Sequence, residues 1–197
     1  MPLEWQPSLL ADGEPSFDPT LAGLDRHELG SGAWYDVRPG WVGGGDALFA
    51  RLRDAAPWAA HERPMYDRTV AEPRLTTRRW DDPPDPIPAM ASALSRHYAT
   101  DLGTVSANLY RDGHDSVAWH GDRVGRRRSH TVVAIVSFGA PRRFLLRPAG
   151  GGRSVRLTPA SGDLLVLGGT CQRTWQHCVP KVASAGPRIS VMFREAY

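Results

Sequence analysis

Hydrophobic and polar positions change rhythm near residue 104. Downstream, short runs rich in β-branched and aromatic residues alternate with turn chemistry, which predicts strands over Thr104–Tyr110, Ser116–His120, His130–Phe138, Arg142–Arg147, Ser154–Leu157, Asp163–Leu167, Trp175–Val179 and Arg188–Phe193. The turns between them carry Asp112-Gly113, Gly139-Ala140-Pro141, Gly150-Gly151-Gly152, Ser161-Gly162-Asp163 and Gly168-Gly169. About eight short strands at this spacing point to an antiparallel jelly roll or barrel. Upstream, residues 1–100 hold 12 of the 17 prolines, and Asp81-Asp82-Pro83-Pro84-Asp85-Pro86 reads as a loop because proline removes donors and restricts its neighbour. Two helices are expected there. In Gly45–Ala55, Leu48, Phe49 and Leu52 recur at helical spacing, and in Ala89–Asp101, Met90, Leu94 and Tyr98 do.

Composition narrows the class. A chain of 197 residues with 41% hydrophobic and 23% charged residues can bury a core, so wholesale disorder is excluded. No apolar run approaches the roughly 18–20 residues of a membrane span, and Met1–Gln6 shows no basic-then-apolar leader, so a cytoplasmic, membrane-free protein is expected, as a monomer. Two cysteines, Cys171 and Cys178, suit neither a disulfide framework nor a cysteine-rich zinc site and read as small buried residues. Charge adds one oddity: Lys181 is the only lysine among 24 basic residues. Arginine's planar fork suits phosphates and carboxylates, and Arg126-Arg127-Arg128 lies in the most arginine-rich stretch of the chain.

Candidate chemistry sits beside that stretch. In Trp119-His120-Gly121-Asp122, alternate strand residues point to one side, so His120 and Asp122 can converge. His177, 55 positions after Asp122, can supply a third ligand from another strand. Two histidines and one carboxylate form the facial set that leaves positions open for cosubstrate and O2 on a non-haem Fe(II). Arg188 and Arg194 lie six residues apart on one strand and therefore share a face. Inward-facing arginines need anionic partners, which a dicarboxylate would supply. Asn108 and Tyr110 share a face of the first core strand in the same way.

Asn108-Leu109-Tyr110, His120-Gly121-Asp122, His177 and Arg188-x5-Arg194 together resemble the AlkB family of Fe(II)- and 2-oxoglutarate-dependent dioxygenases, in order and approximate spacing. The similarity continues through Arg111-Asp112-Gly113 and through Gly162 to Gly169, and Glu72-Pro73-Arg74-Leu75-Thr76 looks like part of the family's nucleotide-recognition region; in all it covers roughly residues 72–197. The resemblance implies a mainly β (α+β) fold, a double-stranded β-helix (jelly roll) core over 101–197, with an N-terminal substrate-recognition extension over 1–100. It also implies Fe(II) on His120, Asp122 and His177, with 2-oxoglutarate and O2 as cosubstrates. Arg188 and Tyr110 would take the distal carboxylate, with Asn108 and Arg194 at the metal-proximal end. The implied activity is DNA repair by oxidative demethylation of bases such as 1-methyladenine and 3-methylcytosine, yielding formaldehyde, succinate and CO2. The same chemistry on RNA or tRNA, and a protein or small-molecule hydroxylase on the same core, are the alternatives.

Two positions depart from the family pattern. Val124 stands where many members carry an acid, near the base pocket, and Ser190 stands where some carry an asparagine, still able to hydrogen-bond the cosubstrate. A base inside a duplex is out of reach, so the substrate must be single-stranded or flipped out. Stacking candidates are Trp58, Tyr66, Trp80 and Trp119. Arg74, Arg126, Arg127, Arg128 and Arg147 are candidate substrate contacts, Arg147 with the option of pointing toward the metal.

Overall fold

The computed structural model describes residues 13–65, 68–122 and 128–196. Its elements in chain order are β1 (Ser16–Phe17), β2 (Asp25–Gly30), β3 (Ala33–Arg38), β4 (Val42–Gly43), α1 (Gly45–Ala55), β5 (Ala59–Met65), β6 (Arg68–Thr77), α2 (Ile87–Tyr98) and β7 (Thr104–Tyr110). There follow β8 (Val117–His120), β9 (Thr131–Gly139), β10 (Phe144–Pro148), β11 (Val155–Leu157), β12 (Leu164–Gly169), α3 (Cys171–Thr174), β13 (Trp175–Val179) and β14 (Arg188–Arg194). Two antiparallel sheets dominate: an eight-stranded sheet in the order β2-β3-β12-β9-β14-β7-β6-β5, and a four-stranded sheet in the order β11-β10-β13-β8.

The eight strands expected after residue 104 all form, with ends shifted by a residue or two. Arg142 is left out of β10 because its side chain is engaged by neighbouring loops, as described below. Helix α1 keeps the expected bounds, with Asp46 in its first turn and Arg53 in its last complementing the helix dipole. Helix α2 begins two residues earlier than expected, because Pro88 is tolerated in a first helical turn. It also ends earlier: Ala99 turns left-handed, and the Ser95 hydroxyl accepts the Leu102 N–H at 2.9 Å. The strands before residue 78 were not anticipated. Four of them, β2, β3, β5 and β6, extend the large sheet on both sides, so that sheet draws on chain from either side of residue 100.

Alternation along each strand divides the interior into two cores. Ile189, Val191 and Phe193 of β14 join Leu48, Phe49 and Leu52 of α1 and Met90 and Leu94 of α2 in the layer between large sheet and helices. Met192 and, on β9, Val133 and Ile135 face the other way, meeting Phe144, Leu146 and Val179 of the small sheet. Strand β9 is buried on both faces, which is why its sequence is a continuous apolar run rather than an alternating one. Polar residues that share the inner face of β14 with Met192 therefore project between the two sheets. The site lies there.

Candidate functional site

The metal-ligand candidates meet across the small sheet. His177 on β13 pairs directly with His120 on β8, so their rings stand 4.2 Å apart between centroids. The register shifts next to this pair: Val179 pairs with Val117, so two residues of β8, Ala118 and Trp119, face the single Cys178 of β13. Such a bulge lets both Val117 and His120 lean inward. Asp122, just past β8, lies with Oδ1 3.6 Å from His120 Nε2 and 3.9 Å from His177 Nε2. The three donor atoms lie within 4.8 Å of one another, close enough to hold one metal ion. Gly121 makes the turn possible, because a Cβ there would stand 2.5 Å from the Gln172 carbonyl oxygen.

Each donor is held in the state a metal needs. His120 Nδ1 lies 2.9 Å from the Ala118 carbonyl, and donation there leaves Nε2 with its lone pair toward Asp122. Burial, reinforced by the neighbouring His120, pushes the His177 imidazole down to about 3, so it is neutral near pH 7. Phe144 stacks on His177 at 5.2 Å and 14°, fixing its plane. Burial alone would raise Asp122, but Arg194, His177 and His120 together hold its carboxyl below the usual range, and it is ionised. Arg194 Nε is 3.3 Å from Asp122 Oδ2. The Asp122 N–H donates to Gln172 Oε1 at 2.8 Å. Cys171, nearby and buried, is raised to about 12 by burial and the Asp122 charge, so its thiol stays protonated and is no competing ligand.

The cosubstrate candidates occupy the inner face of the large sheet. Arg188, on β14 opposite Tyr110 of β7, is 1% exposed. Its Nη2 donates to Ser137 Oγ at 2.8 Å, while Nε and Nη1 have no hydrogen-bond partner among the described residues. Burial disfavours the charged form of this guanidinium. A buried cation with donors to spare and a neutral hydroxyl for company fits a ligand that brings its own carboxylate. Ser190, between the two arginines and facing the same way, directs its hydroxyl to Met192 Sδ at 3.7 Å. Asn108 Nδ2 donates to the same sulfur at 3.5 Å, and Asn108 Oδ1 accepts from Arg74 Nε at 3.3 Å. Arg74 is thus at the edge of this pocket, paired with Glu72 at 2.9 Å. The donor set of two imidazoles and a carboxylate suits Fe(II). The residues present fit both groups.

Other candidates lie elsewhere. Trp80 is 6% exposed, so packing rather than stacking claims its ring, and Trp58 is partly buried against the same helix-side core. Trp119 points away from His120, to the outer face of the small sheet, where the Arg147 guanidinium covers its ring at 4.1 Å. Arg147 pairs in register with Gln176 while Leu146 pairs with His177, so strand alternation turns Arg147 away from the metal cluster, against the inward option. Arg128 is ion-paired with Glu195 rather than free for a phosphate. Tyr66, Val124, Arg126 and Arg127 lie outside the described residues. Sequence reasoning missed Gln172, Ser137 and Phe144. The only signal for them was a polar residue in an otherwise apolar strand for Ser137, and for the others nothing short of the fold.

Residues 45–194 match the family model described as the 2OG-Fe(II) oxygenase superfamily. The alpha-ketoglutarate-dependent dioxygenase alkB homolog 3 of Mus musculus is 32% identical over 176 residues, 77% of this chain and 62% of that protein. The DNA oxidative demethylase ALKBH2 of Arabidopsis thaliana is 32% identical over 146 residues, covering 61% and 46% of the two chains. The chain therefore spans about 62% of the length of the alkB homolog 3 relatives. Among solved structures, OsALKBH1 superposes with a TM-score of 0.58 at 14% identity, covering 87% of this chain and 100% of that one. A Pseudomonas putida prolyl-4-hydroxylase does so with a TM-score of 0.55 at 18% identity, covering 83% and 93%; both likenesses show the jelly-roll fold. Among the described residues no helix is long and apolar enough to cross a membrane. The chain belongs to the 2OG-Fe(II) oxygenase superfamily and is AlkB-like in sequence; Fe(II) and 2-oxoglutarate are the cofactors this family implies, and His120, Asp122 and His177 form a cluster able to hold the metal.

Proposed function

We propose that this chain oxidatively demethylates N-alkylated nucleobases in single-stranded or flipped-out nucleic acid, of the 1-methyladenine and 3-methylcytosine type. The observation that carries the reading is the pairing of the His120–Asp122–His177 cluster with a buried Arg188 whose Nε and Nη1 lack partners among the described residues. His120, Asp122 and His177 would hold Fe(II). Arg188, with Tyr110 beside it, would take the far carboxylate of 2-oxoglutarate, and Asn108, Ser190 and Arg194 would line its path toward the metal. Bound there, iron and 2-oxoglutarate supply O2-dependent oxidation of a C–H bond, with succinate and CO2 as coproducts and formaldehyde lost from the hydroxylated N-methyl group. The protein's part is placement: His177 is kept unprotonated, Asp122 ionised, and the dicarboxylate oriented by paired charge.

Nucleic acid as substrate is supported by the relatives named DNA oxidative demethylase and by the basic outer face of the small sheet. There Arg147 lies on Trp119, and Arg153 and Arg156 line a groove of about 820 Å³ with Leu145, Ser154 and Val155. Guanidinium groups with an aromatic beneath suit a phosphate backbone and unstacked bases.

The test is formaldehyde release from 1-methyladenine and 3-methylcytosine oligonucleotides, as single-stranded DNA and as RNA, with Fe(II), 2-oxoglutarate and ascorbate. Turnover should occur, and His120→Ala should abolish it while binding of the oligonucleotide persists. Relative rates on the two nucleic acids assign DNA or RNA. Metal-loaded protein that consumes 2-oxoglutarate yet acts on neither would overturn the nucleobase reading.

A further inference from the structure

A second buried guanidinium also neighbours Tyr110. Arg142, in the turn between β9 and β10, is 2% exposed. Its Nη1 donates to the Asp112 carbonyl at 2.7 Å, and its Nη2 donates to the carbonyls of Asp115 at 2.8 Å and Pro180 at 2.9 Å. The Tyr110 ring centroid is 5.8 Å from Arg142 Cζ and 5.3 Å from Arg188 Cζ, so both guanidinium groups neighbour this ring. No carboxylate pairs with Arg142 among the described residues. The Asp115 carboxylate is taken up by Arg111 at 2.8 and 2.9 Å, and Asp112 Oδ1 accepts the N–H groups of its own turn.

Those three carbonyls belong to two segments. Asp112 and Asp115 lie between β7 and β8, before the strand that carries His120; Pro180 follows β13, which carries His177. The segments also touch directly. The Val182 N–H donates to the Gly113 carbonyl at 2.9 Å, and a Cβ on Gly113 would stand 2.5 Å from the Val182 oxygen. A single fork-shaped side chain thus ties together the end of the barrel at which Tyr110 and Arg188 meet. A lysine could not reproduce that, because an ammonium on a flexible stem lacks the planar spread of donors.

We propose that Arg142 is a positioning residue for the cosubstrate pocket: its three-carbonyl tie closes the barrel end beside Tyr110 and holds Tyr110 and Arg188 in the arrangement that selects a ligand with a second carboxylate. The inference rests on the reading that Arg188 and Tyr110 receive the far carboxylate of 2-oxoglutarate. It concerns how that selectivity is built, and Arg142 itself touches no ligand.

The experiment compares binding of 2-oxoglutarate with that of 2-oxopentanoate, which has the same chain length and a methyl group in place of the far carboxylate. Calorimetry on Mn(II)-loaded protein reads both affinities without turnover. Arg188→Met should abolish the preference for 2-oxoglutarate. Arg142→Lys should lower it about tenfold, in the range found when residues supporting a ligating group are replaced, with 2-oxopentanoate affinity and melting temperature retained. If Arg188→Met keeps the preference, the reading of Arg188 falls. If Arg188→Met loses it and Arg142→Lys does not, the role of Arg142 alone falls. Equal loss for both ligands in Arg142→Lys likewise overturns it. Should Arg142→Lys fail to fold, Gly113→Ala, which forces the same two segments apart and leaves both arginines in place, must lower the preference; an unchanged preference there overturns the inference.

Discussion

At the scale of single residues, the site depends on groups that carry no ligand atom. Gln172 is the clearest: it is 5% exposed, its Oε1 takes the Asp122 N–H, and the carbonyl of the same residue stands where a Cβ on Gly121 would have to go. Gln172→Leu keeps the volume and removes the acceptor, leaving a buried N–H unpaired at about 1–3 kcal/mol. Asp122 then loses its backbone anchor, and metal affinity should fall about 10- to 100-fold. Titration of Mn(II) into wild type and variant measures it, and equal affinities would show that Gln172 only packs. The donors themselves were readable from spacing, because period-two alternation puts His120 and Asp122, or Arg188 and Arg194, on one side. Gln172, Ser137 and Phe144 were not readable, since each acts through a partner dozens of residues away.

At the scale of elements, β14 does the most to join core and site. Its even-numbered residues Arg188, Ser190, Met192 and Arg194 face the small sheet, and Ile189, Val191 and Phe193 anchor the strand against the helices. Phe193 is completely buried, so Phe193→Ala should cost about 3–5 kcal/mol through lost transfer and a residual cavity. Urea unfolding of the two proteins checks this; a loss under 1 kcal/mol would mean the helix layer collapses onto the gap. Strands of the core were legible because β-branched runs between glycine turns have few other uses. The outer strands were harder. Strand β6 contains Pro73 and charged residues, and β5 is the edge of the large sheet, where burial no longer enforces alternation. The hairpin β2–β3 does carry a local signal, Gly30-Ser31-Gly32 between two alternating runs.

At the scale of the whole molecule, arginine excess resolves into separate uses. Arg26 forks onto buried Asp36, Arg111 onto Asp115, Arg74 onto Glu72 and Arg128 onto Glu195, all internal pairs. Arg188 and Arg142 are buried on neutral oxygen. Arg153 and Arg156 line the outer groove. The buried site also sets a pH dependence for the metal-free protein. His177 is held at about 3 in the fold, against about 6.5 when unfolded, so the unfolded chain binds the extra proton. Stability should therefore decline as pH falls from about 6.5 toward 3, by up to about 1.4 kcal/mol per pH unit from this group. Asp122, also lowered, adds to the loss only below the ordinary carboxylate range. Urea midpoints of metal-free protein at pH 7.5 and 5 measure the decline, and equal midpoints would contradict it.

The strand-rich core, the order of the metal-ligand and arginine motifs, and which of those residues share a face are legible in the chain alone, because they follow from local period and turn chemistry. Only the tertiary structure decided which face turns inward. That choice depends on which sheet packs against which layer, and a strand's alternation is the same whichever side is buried. It sent Arg147 and Trp119 outward, sank Trp80 into the helix-side core, paired Arg128 with Glu195, and left Arg188 with spare donors and no carboxylate partner among the described residues.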